Sequence, residues 1–435
     1  MVADLSCIYT AKYLVSSNAP PIEAGALFAH AGRIAAIGTL KEVKRNFPGV
    51  AVVDFADALL VPLLVNAHTH LELTDFPQWA VNVGDTVPPN NFVDWILRLI
   101  RIKQKLDDRQ YRISLNNGIE QSIAAGTGAV GDILAHHAAR DLYQNSSLLG
   151  TLFLETLGHD PAVIRRLKNG LAEALKDLTV GLVELGVSPH SPYTISKDYL
   201  QGIYAHCQRD KLRCTTHLAE SSDEVEFIKW SQGNLSSRLY PYIGWENYIP
   251  QPTGLRPVEY LQQQGGLFPE NLLVHGVQLN AAEIELLAEK KMSLVLCPRS
   301  NASLNVGKSP AAKLYHAGVK LALGTDSLAS CDSLSIWDEM AFAHHWFDGE
   351  LDPPTLFNMA TQGGAETLGI GNEVGSLEIG KSAGFQILRP KTTVAVDEIF
   401  DYFISSRCTD DIIQVYHRGQ SQLLQLDEQN SKPLV

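Results

Sequence analysis

His68 and His70 stand one residue apart in "LLVNAHTHLEL", directly after apolar residues that suit a buried strand. On a β-strand, residues i and i+2 point to the same side, so the two imidazoles leave the strand end together and can share one ion. A metal site that works on a substrate needs three or four nitrogen or oxygen ligands and one open position. His217 in "THLAE" and Asp326 in "GTDS" complete such a set. By sequence, Asp326 is equally suited to cap a helix after "LALGT". Glu220, three residues after His217, has two readings. It is a proton shuttle beside an ion-activated water, or a glutamate in the first turn of a helix. His275 in "LVHGVQL" either orients the attacking oxygen or is a buried, hydrogen-bonded imidazole.

The elements that must position these residues are short apolar runs alternating with helical patterns. Strands are expected at 63–67, 127–133, 149–155, 181–187, 212–217, 271–275, 292–297 and 319–325, with helices at 161–177, 196–209, 281–290 and 333–346. Eight such units predict an α/β fold, a (β/α)₈ TIM barrel. The chemically capable residues then fall at strand carboxyl ends, the face that carries active sites in such barrels. His68 and His70 follow strand 1, His190 strand 4, Ser300 and Asn301 strand 7, and Asp326 strand 8, while His217 and His275 end strands 5 and 6. Residues 1–60 and 376–435 have a different texture of short strands and glycine-rich turns, and are expected to form one small composite β-sandwich beside a barrel spanning 61–375. Two long irregular stretches, 71–93 and 231–256, are rich enough in aromatic residues to serve as lids.

Bulk composition narrows the function classes. The chain has 435 residues, 45% of them hydrophobic, and a formal net charge of −13 without a lysine or arginine cluster, which argues against a nucleic-acid footprint. No stretch approaches the roughly 20 apolar residues of a membrane span. The six cysteines, at 7, 207, 214, 297, 331 and 408, lack paired spacing, as expected of reduced thiols in a cytoplasmic enzyme. The expected partner is a small-molecule substrate, with a homodimer as the compatible assembly.

In order along the chain, "PLLVNAHTHLEL", "SPHSPYTIS", "THLAES", "LVHGVQL", "CPRSN" and "LALGTDS" resemble the amidohydrolase superfamily, in its branch of metal-dependent deaminases and chlorohydrolases. "GRIAAIG" and "VGSLEIGKSAG" resemble the flanking sandwich of that branch. The resemblance implies His68, His70, His217 and Asp326 as ligands, Glu220, His275 and Asp326 as catalytic groups, and His190 as a substrate contact. Leu63 stands where the family often has glycine, and Gly384 where it often has aspartate. Binuclear members carry a bridging lysine at the end of strand 4, whereas this chain reads "VELGVSPHSPY", so one divalent ion is expected, zinc first and iron second. The implied reaction is hydrolytic release of ammonia from an N-heterocycle, with displacement of chloride or opening of a cyclic amide as the alternative and a non-catalytic barrel as a remote one. For the substrate, Trp95 resembles an aromatic of adenosine-type members, and the stretch after it offers Arg98, Arg101, Lys103 and Gln104 where those members tend to place a glutamate. These residues are either the basic face of a solvated helix or, with an arginine such as Arg101 turned toward the mouth, a bidentate partner for a carboxylate. Tyr240, Tyr242, Trp245 and Tyr248 would flank an aryl group, and Ser300 and Asn301 would touch substrate. Those features point to a purine nucleoside with a carboxylated aryl tail, as in aminodeoxyfutalosine-type deaminases.

Overall fold

The computed structural model describes residues 6–405 and 408–422, so the expected sandwich segment beyond 422 and residues 1–5 lie outside the described residues. Eight strands run in one parallel order: β1 Leu64–Thr69, β2 Thr127–Leu134, β3 Leu149–Thr156, β4 Val183–Pro189, β5 Cys214–Leu218, β6 Asn271–His275, β7 Ser293–Leu296 and β8 Lys320–Leu323. The buried faces of β1, β2, β3, β6, β7 and β8 place Val65, Ile133, Phe153, Val274, Val295 and Ala322 in one interior cluster, the packed centre expected of a barrel. The larger apolar cluster lies outside this ring, against the helices.

The ring is nearly closed between β1 and β8, and closure is made mostly by side chains. Asn66 donates through Nδ2 to Thr325 Oγ1 at 2.8 Å and accepts the Thr325 N–H at 3.1 Å through Oδ1. Just above, the Asp326 N–H donates to the His68 carbonyl at 3.1 Å, and Thr69 Oγ1 donates to the Asp326 carbonyl at 2.9 Å. Gly324 permits the approach, because a Cβ there would lie 2.7 Å from the His68 carbonyl oxygen. The seam that closes the barrel thus brings His68, His70 and Asp326 together.

Strand edges shift by a few residues from expectation. The run at 181–187 enters the barrel only at Val183, because Thr179–Val180 pairs antiparallel with that strand first. The expected helix at 333–346 begins at Ile336, with Ser335 accepting the Asp338 N–H as its cap. The two lid stretches are not irregular throughout. The first holds a 3₁₀ turn at Leu71–Leu73 and a helix at Phe76–Asn82, and the second holds short helical turns at Leu235–Leu239, Tyr240–Tyr242 and Glu246–Tyr248.

Beside the barrel lie a four-stranded and a six-stranded sheet. The N-terminal region supplies all of the first, while Phe385–Leu388, Ile412–His417 and Gln420–Gln422 join N-terminal strands in the second. Tyr9, Leu27, Leu60, Phe385 and Tyr416 share the apolar layer there, with the Phe385 and Tyr416 rings stacked at 4.5 Å. No helix among the described residues is long and apolar enough to cross a membrane.

Candidate metal centre and substrate cavity

At the carboxyl ends of the strands, donor atoms converge. His70 Nε2 lies 3.3 Å from His217 Nε2, and Asp326 Oδ1 lies 3.7 Å from His68 Nε2 and 3.6 Å from His70 Nε2. Ligand atoms around a common tetrahedral ion at zinc distances sit roughly 3.4 Å apart, so these spacings suit one ion. His68 Nε2 is buried and without a hydrogen-bond partner among the described residues, a costly state for an imidazole nitrogen unless a ligand meets it. A second grouping, His68, His217 and His275, also brings its ligand atoms within 4.8 Å of one another.

The surroundings fix which nitrogens face the centre. His217 Nδ1 sits 2.8 Å from the His190 carbonyl, which can only accept, so Nε2 carries the lone pair. His275 Nδ1 lies 3.0 Å from Asn301 Oδ1, with the same consequence for its Nε2. Burial holds the His70 and His217 imidazoles well below the usual histidine range, and neighbouring histidines push them further down. Neutral imidazoles are the form that ligates. Burial would raise the Asp326 carboxyl, but the adjacent His68, His70 and His275 outweigh it and hold that carboxyl well below its ordinary value. Its other oxygen, Oδ2, accepts from Ser300 Oγ at 2.6 Å and Ser330 Oγ at 2.9 Å.

Asp326 does not cap a helix. Its φ is +58°, and the next helix begins ten residues on, behind Ser335. Such backbone is uncommon outside glycine and persists where the surroundings over-determine it. His275, at φ +74°, and Ala219, at φ +53°, share that conformation. Ala219 is held by Glu224, fully buried, whose two carboxylate oxygens accept the Ala219 N–H at 2.9 Å and the Glu220 N–H at 2.8 Å. Glu220 therefore precedes its helix, Ser222–Trp230, whose cap is Ser221, and its carboxyl lines the cavity 3.7 Å from His275 Nε2. Burial raises the Glu220 carboxyl well above the usual range, with Asp326 and Glu224 adding to it.

Above this floor opens a cavity of about 510 Å³, within the range of small-molecule sites. His190 and Trp95 line it as expected. His190 Nδ1 is taken up by Ser191 and Thr194 hydroxyls, both at 3.0 Å, which fixes the ring. Several expected substrate contacts are corrected. Ser300 and Asn301 are fully buried behind the floor, where they hold Asp326 and His275 instead of meeting the cavity. Arg101 turns to Asp85, 3.0 Å away on the half-exposed outer side of its helix, and Arg98 binds the same aspartate. A surface carboxylate has captured both guanidinium groups. Of the four lid aromatics only Trp245 lines the cavity. Tyr240 is buried, donating to the Tyr193 carbonyl, Tyr248 bonds Asp160, and Tyr242 is exposed.

Lys103 and Gln104, named among the residues after Trp95, do line the cavity, together with Glu72 and Glu155, which the sequence reading missed. Glu155 had a visible signal, a carboxylate at the carboxyl end of β3. Glu72 had none beyond its place after the histidine pair.

The comparisons follow from this geometry. The amidohydrolase family model matches residues 59–420. An aminodeoxyfutalosine deaminase from Deinococcus radiodurans is 32% identical over 346 residues, covering 77% of this chain and 79% of that one. A 5-methylthioadenosine/S-adenosylhomocysteine deaminase from Syntrophobacter fumaroxidans is 27% identical, covering 94% and 90%. Among solved structures, a zinc-bound adenosine deaminase from Xanthomonas campestris superposes with a TM-score of 0.80 at 24% identity, covering 96% of this chain and 92% of that one, a likeness of fold. With its eight-stranded barrel, its carboxyl-end cluster of histidines and aspartate and a family match across most of its length, the chain belongs to the amidohydrolase family.

Proposed function

We propose that the chain is a hydrolytic deaminase of a purine nucleoside derivative, of the aminodeoxyfutalosine type, holding one divalent ion, zinc first and iron second, on His68, His70, His217 and Asp326. The observation that carries this reading is the meeting of Glu220 and His275 beside the histidine and aspartate cluster, at the floor of a cavity with aromatic walls. The names of the relatives from D. radiodurans and S. fumaroxidans support the substrate class. When bound, the ion supplies a water acidified toward neutral pH.

The chain's own residues do the remaining work. Glu220, whose carboxyl burial raises, is placed to pass a proton between the attacking water and a ring nitrogen. His275 presents the Nε2 lone pair because Asn301 engages Nδ1, so it accepts a hydrogen bond from that water and aims it. Asp326 Oδ1 faces the same point, its carboxylate fixed from behind by Ser300 and Ser330. His190, steadied by Ser191 and Thr194, meets the heterocycle from the β4 side. Leu239, Ile243 and Trp245 bring apolar surface from the second lid stretch to the cavity. The absence of the bridging lysine supports one ion.

Because Arg98 and Arg101 pair with Asp85, support for an aryl tail comes from Trp95 and Trp245 in the cavity wall and not from a guanidinium. The test is ammonia release by zinc-loaded protein from aminodeoxyfutalosine, adenosine, methylthioadenosine and adenosylhomocysteine. The expected result is a kcat/KM highest for aminodeoxyfutalosine. Equal or faster turnover of adenosine overturns the tail assignment, and chloride release from a chloro-heterocycle without any ammonia release overturns deamination.

A further inference from the structure

The cavity lining is mixed in character. Trp95, Ile96, Ile243 and Trp245 are its apolar members, while Glu72, Lys103 and Glu155 bring ionisable groups to it. Lys103 ends the helix Phe92–Lys103 and places Nζ 3.8 Å from Glu72 Oε1. Glu72 is buried, and its Oε2 accepts the His136 N–H at 2.9 Å, so it serves as a fixed counter-ion. Burial alone would lower the Lys103 ammonium, but the charges of Glu72 and Glu155 outweigh it and keep the group protonated. The Glu155 carboxylate, in contrast, makes no hydrogen bond or close ion pair among the described residues, although the residue's own carbonyl meets His137.

An acceptor-only carboxylate beside an ammonium with unused N–H donors is a site for hydroxyl groups. Two carboxylate oxygens span two neighbouring hydroxyls, and the ammonium donates to their oxygens.

Resting on the deaminase reading, we propose that Glu155 and Lys103 form the subsite for a vicinal diol of the substrate, with Glu72 as the positioning residue for Lys103. The diol-bearing sugar then stands at Glu155 and Lys103, and the rest of the tail runs along Trp95 and Trp245.

Binding is measured by calorimetry in zinc-loaded protein carrying Glu220→Gln, with 5′-methylthioadenosine and its 2′,3′-dideoxy analogue as probes. Loss of hydrogen bonds to charged groups is worth about 10- to 100-fold, so the dideoxy compound should bind that much more weakly. Adding Glu155→Gln should shrink the gap to about threefold or less, by weakening the diol compound alone. Lys103→Gln serves as the second variant and should also narrow it. Equal affinity for the two probes, or a gap unchanged in both double variants, overturns the subsite. Because binding and not turnover is read, this outcome is separate from the ammonia assay. Diol discrimination without ammonia release from the unaltered enzyme would sink the deaminase reading and leave the subsite standing.

Discussion

The floor of the cavity and its walls are built on different principles. Floor residues sit on or just past barrel strands, and four of them are held from behind: Asp326 by Ser300 and Ser330, His275 by Asn301, His217 by the His190 carbonyl, and the Glu220 backbone by Glu224. Wall residues other than Glu155 sit largely on the helix Phe92–Lys103 and on two long lid segments, where partners decide which side-chain ends reach the cavity. Arg101 and Lys103 are two residues apart on one helix, hence about 200° apart around it, and Asp85 ties the first on the outer face while Glu72 holds the second at the cavity. The lesson is that a strand's or a helix's period fixes which side a residue faces, whereas the end of a long side chain, and most lid residues, are placed by whatever packs beside them.

This contrast can be broken or sharpened by substitution. The largest effect is expected of His68→Ala, which removes the one donor lacking any other partner. Elemental analysis should show loss of the ion and turnover should fall to background, and a fully metal-loaded, active variant would remove His68 from the ligand set. Next comes Glu220→Gln, expected to keep the metal and lose ~10²- to 10⁴-fold in kcat. Near-normal kcat there would reduce Glu220 to a cavity-lining group.

Asn301→Ala leaves the His275 Nδ1–H without its acceptor, and loss of such supporting partners typically costs about 10- to 100-fold in activity. The expected signature is a fall in kcat at nearly constant KM. A raised KM alone would make Asn301 the substrate contact that its burial denies. Trp245→Ala tests the wall, where a several-fold rise in KM for aryl-tailed nucleosides is expected with little change for adenosine. The smallest effect belongs to Arg101→Ala. Its ion pair is half-exposed, worth about 0.5 kcal/mol or less, and neither melting temperature nor kcat/KM for aminodeoxyfutalosine should move appreciably. A selective loss on that substrate would show that the side chain leaves Asp85 for the ligand.

The amino-acid sequence by itself determined the eight parallel strands and the placement of His68, His70, His190, His217, Glu220, His275 and Asp326 at their carboxyl ends. A strand's period of two and its burial are local properties, written in the runs "LLVNA", "NLLVH" and "LALGT". Tertiary structure decided what no local pattern encodes. It turned Ser300 and Asn301 into supports, because their partners Asp326 and His275 lie 26 residues away in the chain. It sent Arg101 to Asp85 and Lys103 to Glu72, and it kept only Trp245 of the four lid aromatics at the cavity. The physical reason is that a long polar or aromatic side chain is placed by whichever charge or buried surface lies within reach, and that competition is settled only once distant segments have packed.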